Sequence, residues 1–454
     1  MQFGRVDLLK GNIAKALGRL AVPIMGASVI QMAYSLIDMV WIGRLGATAV
    51  AAVGTGGLFM WFADSFMLLA RIGGQVQCAQ AVGAGRQRRA RQFIRAAIQL
   101  GILFGLLYGA LLFGFRHQIV AFFRFNEPET VRMTLQYIAA ISPGIVCTYL
   151  SKIFSGLSTA TGNSRTPFMV TAIGLVCNMA LDPLMIFALD WGAAGAGIAT
   201  TTSLAIEVCL FARALRAERH FRNLRLWRTA PRVYYRRIIR ISYPVSLQEL
   251  IYSGASILLS RLIASHGDSG VAAHRIGANI ESIAWLSSDG LANSVNALIG
   301  QNFGAGQLER SRRGYRTALC LAIAIGSLTT ALLFCLPREL MTIFVNDALT
   351  IQIGGSYLRI MSYSQIMMCL ELMTVGAFAG YGRTVLPALV STVLTAGRLP
   401  LAYILNQTAL GLDGVWWAIT ITSILKGIIL VSAFLVTERK LQRRQIVTIK
   451  YKSS

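Results

Sequence analysis

The chain has 454 residues, of which 55% are hydrophobic and only 14% charged, and its mean hydropathy is +0.59. A water-soluble fold of that make-up would leave large apolar patches in water, so a soluble enzyme or binding module is excluded and an integral membrane protein is implied. The net charge of +24 speaks for nucleic acid only if the arginines form a surface of their own; here they gather at the ends of apolar runs, where topology and anionic headgroups account for them.

Apolar runs of about 20 residues give twelve predicted membrane helices. Six lie in the first half, at 17–42, 48–72, 94–115, 133–158, 167–189 and 193–214; six in the second, at 240–264, 271–299, 316–336, 355–380, 385–407 and 412–436. The first run is too long for a signal-peptide core and lacks a small-residue cleavage pattern, so it is read as a retained span. Ten arginines lie between Arg213 and Arg240; more basic residues cluster at Arg86–Arg91, at Arg310–Arg313 and in the tail from Arg439 to Lys452. All these segments share one side if both termini are inside, while the opposite loops carry Glu127, Glu129, Asp190, Asp268, Asp347 and Asp413. The positive-inside bias therefore predicts a multi-pass protein of the cell (inner) membrane with both termini cytoplasmic. The expected domains are an N-terminal lobe 1–214, a basic connector 215–239, a C-terminal lobe 240–437 and a basic tail 438–454. The lipid bilayer is the expected partner, nucleic acid is not, and a monomer is expected.

The two halves repeat. Ala81-Val-Gly-Ala-Gly85 returns as Asn302-Phe-Gly-Ala-Gly306, and with the same displacement Pro23 falls on Pro244, Gly46 on Gly267 and Val50-Ala-Ala52 on Val271-Ala-Ala273. An apolar chain built twice is how secondary transporters are made, with two bundles and a site near mid-membrane. The fold class is accordingly an all-α membrane protein with twelve transmembrane helices in two pseudo-symmetric six-helix bundles. Seven cysteines without metal-type spacing, most of them inside apolar runs, read as buried thiols, and His117, His220, His266 and His274 are isolated, so neither a metal centre nor a cofactor is expected.

A charge inside a span costs about 2.5 to 3.5 kcal/mol on insertion scales, so Asp38, Asp64, Asp182, Glu207, Glu249, Glu281, Asp289 and Glu371 each need a reason. Asp38 and Asp182 fall at one depth in the outer half of the membrane, and Thr200, at a similar level, is counted with them and Asn178 as a candidate coupling residue. Gln31, Tyr34 and Asp38 share one helical face; Asn178 and Asp182, four apart, share another. Pro183 removes an N–H next to them and is expected to kink the helix, freeing the Met179 carbonyl. Two carboxylates in one dry site cannot both stay ionised without a cation or a shared proton. Asp64, Glu207 and Asp289 read instead as groups that hydrogen-bond between helices, and Glu249, Glu281 and Glu371 are secondary candidates that Arg261, Arg275 or Arg398 would neutralise. In the repeat, Asp38 falls on Leu259, and pairing Pro183 with Pro400 puts Asp182 on Leu399; the scaffold recurs and the acids do not.

Pro23 and Asp38 in the first span, Gly43-Arg-Leu-Gly46 after it, the Gly-Ala-Gly motifs before the third and ninth spans, Asn178-Met-Ala-Leu-Asp-Pro183 and Gly380-Tyr-Gly-Arg-Thr384 together resemble the multidrug and toxic compound extrusion (MATE) family, and within it the DNA-damage-inducible branch. The resemblance implies an efflux antiporter with two lobes that rock in alternating access and expel amphipathic, often cationic small molecules in exchange for H+ or Na+. It places Asp38, Asn178 and Asp182 in the proton or sodium site and Gln31, Tyr34 and Thr200 along the same cavity; Met32 is a residue type that serves such cavities and also packs cores. The second-half carboxylates of the family's other main branch are replaced here by Tyr252 and Met368, with Glu371 one turn away. The alternatives are a lipid-linked sugar flippase, which would want more cationic groups, an intramembrane prenyltransferase, which would want a second Asp-rich arm, and a channel.

Overall fold

In an apolar surrounding every backbone N–H and C=O must be paired within the protein, and this chain meets that demand with helices. The computed structural model describes residues 5–125, 127–222 and 224–453, without the side chains of 34–36, 47 and 442–453. Among these residues there is no strand. The first eight helices are α1 Ile13–Gly43, α2 Ala47–Gly83, α3 Gln87–Gly114, α4 Arg116–Phe122, α5 Pro128–Ile141, α6 Gly144–Ala160, α7 Arg165–Pro183 and α8 Gly192–Arg216. The second eight are α9 Arg232–Ala264, α10 Asp268–Gly304, α11 Leu308–Cys335, α12 Pro337–Thr342, α13 Ala348–Ser362, α14 Gln365–Gly380, α15 Val385–Asn406 and α16 Leu412–Ser453. Two compact units result. One holds Arg19–Ser246 with the residues up to Asp7, the other Leu8–Gly18 with Leu247 onward.

Eight helices are long and apolar enough to cross a membrane by themselves, and the pairs α5/α6 and α13/α14, bent by 48° and 54°, bring the number to ten among the described residues. The helices α9 and α10 complete the twelve expected spans as the repeats of α1 and α2. They are 33 and 37 residues long, but Arg232, Arg236, Arg237 and Arg240 in one, and Glu281, Asp289, Asn293 and Asn296 in the other, lower their apolarity. At about 1.5 Å per residue, α9 exceeds a hydrocarbon layer of about 30 Å, which leaves its arginine-bearing first turns room beyond it.

The repeat extends to single contacts. Gly46 and Gly267 precede α2 and α10 at φ 103° and 92°, a conformation that a side chain would strain. Thr201 Oγ1 donates to the Ala140 carbonyl at 2.9 Å, and Thr420 Oγ1 to the Ile360 carbonyl at 3.2 Å. The displacement is 221 at Gly46/Gly267, 220 at Gly162/Gly382 and 219 at Gly192/Gly411. The last step falls between Met185 and Gly192, where a π turn, Leu184–Ala188, follows α7; a π turn is how a helix absorbs one extra residue. Because α7 and α15 begin in register at 220, and Pro167 pairs with Pro387, Asp182 corresponds to Ala402 and Asn178 to Arg398. The pairing of Pro183 with Pro400, which put Asp182 on Leu399, is therefore corrected, and the acid is still absent from the second copy.

Small residues let the helices close up. A Cβ on Gly376 would lie 2.3 Å from the Ala292 carbonyl oxygen, whereas one on Gly397 meets nothing within 4 Å. Gly376→Val should therefore cost about 1 to 3 kcal/mol through overpacking and lower the unfolding temperature in detergent, while Gly397→Ala should leave it unchanged or raised; equal effects would contradict this packing. Between α8 and α9, His220 is 3% exposed, and burial followed by Arg5, Arg219 and Arg91 pushes its pKa down to about 4. The folded imidazole thus resists a proton that the unfolded one accepts near 6.5. Its share of the stability is complete above pH 6.5 and is lost as pH falls toward 4. A His220→Gln variant should show a shallower fall of unfolding temperature over that range, and parallel curves for variant and parent would refute the assignment.

Candidate functional site

Helix α1 carries Asp38, and α7 carries Asn178 and Asp182 one turn apart. Asn178 Nδ2 donates to Asp182 Oδ1 at 2.9 Å, and the carboxyls of Asp38 and Asp182 approach within hydrogen-bonding reach of each other. Asp182 is 0% and Asn178 2% exposed. Asp38 Oδ1 and Asp182 Oδ2 are buried with no donor facing them, and among the described residues neither carboxyl forms an ion pair. Two full charges about 4 Å apart would repel by about 4 kcal/mol at an effective dielectric of about 20. Two acceptor groups in contact need a proton or a cation between them.

Directly beyond Asp182, Pro183 closes α7 and the π turn begins; the two run on as one apolar helix, Arg165–Ala188, so a change of helix type stands where a kink was expected. Tyr137 of α5, buried at 8%, lies in electrostatic range of both Asp38 and Asp182. It packs into the notch left by Gly56, whose Cβ would fall 2.4 Å from the ring. Sequence reasoning missed Tyr137. Its signal was available in the repeat, since Tyr357 packs on Gly277 in the same way at 2.2 Å. Thr200 is not joined to the acids: its hydroxyl turns back to the Ala196 carbonyl at 3.0 Å. Gln31 is exposed and Met32 half-buried, both earlier on α1, and the side chain of Tyr34 lies outside the described residues.

The second unit handles its acids differently. Glu281 of α10 accepts from Tyr357 and from Gln365 Nε2, each at 2.9 Å. Arg398, 6% exposed, donates to Thr422 at 2.9 Å and Ser423 at 3.3 Å and lies in electrostatic range of Glu281 and Glu371. Glu371 pairs with Lys426 at 3.0 Å and accepts from Ser391 at 3.4 Å. Glu249 of α9 lies near Tyr252. No group of three or more His, Cys, Asp or Glu suited to a metal occurs among the described residues.

Two stretches of the chain, residues 23–184 and 244–404, match the MatE family. The chain belongs to that family. Over 448 residues it is 26% identical to the probable multidrug resistance protein NorM of Thermotoga maritima, covering 96% of this chain and 95% of that one. Over 426 residues it is 25% identical to the multidrug resistance protein PmpM of Pseudomonas aeruginosa, covering 90% and 88%. A MOP superfamily transporter from Pyrococcus furiosus has the same fold, with a TM-score of 0.90 at 22% identity over 97% of this chain and 99% of that one. An outward-facing multidrug resistance MATE family transporter also gives a TM-score of 0.90 at 22% identity, over the same shares.

The two copies of this MatE chain thus share a scaffold and differ in charge. Where the first has Asp38, Asn178 and Asp182, the second has Leu259, Arg398 and Ala402, and its acids find partners nearby. Removing one member of the Glu371–Lys426 pair should expose the cost. Lys426→Met should destabilise the protein by about 3 to 5 kcal/mol, as expected when a buried charge loses its partner, and adding Glu371→Gln should restore most of the loss. Thermal unfolding of the single and double variants measures this; a double variant no more stable than the single one would show that the pair is not the interaction lost.

Proposed function

We propose that this protein is a secondary active efflux antiporter that expels amphipathic, often cationic compounds in exchange for H+ or Na+, with Asp38, Asn178 and Asp182 as its coupling site. The observation that carries the reading is the contact between two carboxyls that have no basic partner, in a unit whose repeat has neither acid. The resistance proteins that it resembles along nearly their whole length support the choice of cargo. It is a transporter and not an enzyme, and it works without a cofactor, as a monomer. The basic segments at Arg86–Arg91, Arg213–Arg240 and Arg310–Arg313 lie on the cytoplasmic side of the inner membrane, and so do both termini, which is the orientation that the positive-inside rule favours. Asp38 beside Asn178 and Asp182 also favours the DNA-damage-inducible branch.

When the pair holds a proton or a cation, its repulsion is relieved and α1 can stay against α7; when it is empty, the charge is free to hold a cationic cargo. Exchange of the one for the other turns the cavity from one side of the membrane to the other. One elementary charge moving down 100 mV supplies about 2.3 kcal/mol, enough at about 1.4 kcal/mol per tenfold for a gradient of roughly 50-fold. A single coupled ion suffices. In proteoliposomes, Asp38→Asn and Asp182→Asn should each slow gradient-driven efflux of a cationic dye at least tenfold, and imposing the pH and sodium gradients separately identifies the ion. Undiminished efflux in both variants would remove this site from the mechanism.

A further inference from the structure

A second unpaired acid lies in the same unit, two helical turns from the carboxyl pair. Glu207 of α8 is 7% exposed, and Ser151 Oγ of α6 donates to its Oε2 at 2.5 Å. Its carboxyl lies against α7 at Gly174, where a Cβ would stand 2.3 Å from Glu207 Cγ and Oε1. Gly174, Asn178 and Asp182 follow one another at four-residue steps, so they form one stripe on α7, with about 12 Å of helix between its ends. Asn178 sits midway, already bonded to Asp182.

The second copy has the same three positions filled otherwise. With the displacements found above, Ser151 corresponds to Glu371, Glu207 to Lys426 and Gly174 to Leu394. There the acid and its lysine, 3.0 Å apart, neutralise each other. In the first copy the acid has a hydroxyl as its nearest partner, and a glycine that makes room for it stands in place of the leucine. The scaffold therefore requires neither an unpaired acid nor a glycine here.

Lys152, next to Ser151 on α6, lies in electrostatic range of Glu207. Lys152 Nζ holds both carboxyl oxygens of Asp64 of α2 at 2.8 Å, and this pair is about one-third exposed, at 33% and 36%. Lys152 is the charged group in electrostatic range of Glu207, and α7 faces it with Gly174.

We propose that Glu207 is a proton relay between the Asp38/Asp182 pair and the cytoplasmic side, reached past Asn178 along the seam of α7 and α8 and discharged by way of the half-buried Lys152–Asp64 pair. The inference rests on the coupling site proposed above and commits it to the proton. A proton leaving the carboxyl pair passes through water beside Asn178 to the Glu207 carboxylate, and the resulting acid returns it to water near Asp64; the reverse sequence reloads the pair. Glu207 does not touch cargo, so it governs the rate of proton transfer and not the affinity.

The test uses the whole protein with ethidium as the cationic probe. Glu207→Gln should bind ethidium as the parent does, release the same number of protons on binding in detergent, and yet release them at least tenfold more slowly, with a matching loss of pH-driven efflux from proteoliposomes. Glu207→Asp should recover part of the rate. Gly174→Val, which fills the notch, should slow release in the same way, and it supplies the test should Glu207→Gln fail to fold. Parental release rates in Glu207→Gln, or in Gly174→Val if that variant alone folds, would overturn the relay, and so would efflux driven by sodium alone. Normal release in Glu207→Gln together with inactive Asp182→Asn would leave the coupling site standing without the relay, whereas parental efflux in Asp38→Asn and Asp182→Asn would remove both.

Discussion

A carboxylate withdrawn from water into an apolar lobe must be compensated, and the manner of compensation separates the acids of this chain into two kinds. Asp64 and Glu371 hold lysines at 2.8 and 3.0 Å. Glu281 collects two hydrogen bonds with Arg398 in range. These groups hold helices together whatever ion gradient is imposed. Asp38, Asp182 and Glu207 have oxygen and amide neighbours and no directly bonded base; under the coupling proposed above, their compensation comes from an ion that arrives and leaves.

The duplication turns this contrast into an internal control. Glycine notches under Tyr137 and Tyr357, threonine bonds at Thr201 and Thr420, and the turn glycines at Gly46 and Gly267 recur because both copies solve the same packing problem. A residue found in one copy at a place where the other copy packs well without it is not demanded by the fold. By that criterion Asp38, Asp182, Gly174 and Glu207 stand apart, as does the π turn after Pro183, which adds a residue to the first copy just beside Asp182.

Much of this was legible in the sequence because it depended on spacing. The glycine-rich repeats located the duplication, apolar runs located the helices, and four-residue steps put Asn178 and Asp182 on one face. What escaped depended on facing across helices. Lys426 and Lys152 were not recognised as partners of Glu371 and Asp64, since nothing local in a helix says which neighbour its side chain meets. Thr200 lay at a suitable depth but satisfied its hydroxyl within its own helix. The proline pairing misled because a proline marks a bend, whereas the register is set where a helix begins. Arg398, counted among three possible neutralising residues, proved to be the repeat partner of Asn178.

The placement of Arg398 carries a last consequence. In the first copy that position offers a neutral amide to a carboxylate at 2.9 Å; in the second it offers a guanidinium to hydroxyls and to two acids in range. An amide leaves the charge of its carboxylate free to change, because it bonds the carboxyl in either protonation state. A guanidinium favours the ionised state of its neighbours and holds them there. In the proposed mechanism, one substitution at one repeat position thus suits the first copy to exchange an ion and the second to remain fixed in charge. Efflux needs no more than one exchanging half, provided that the other keeps its own electrostatics constant throughout the cycle.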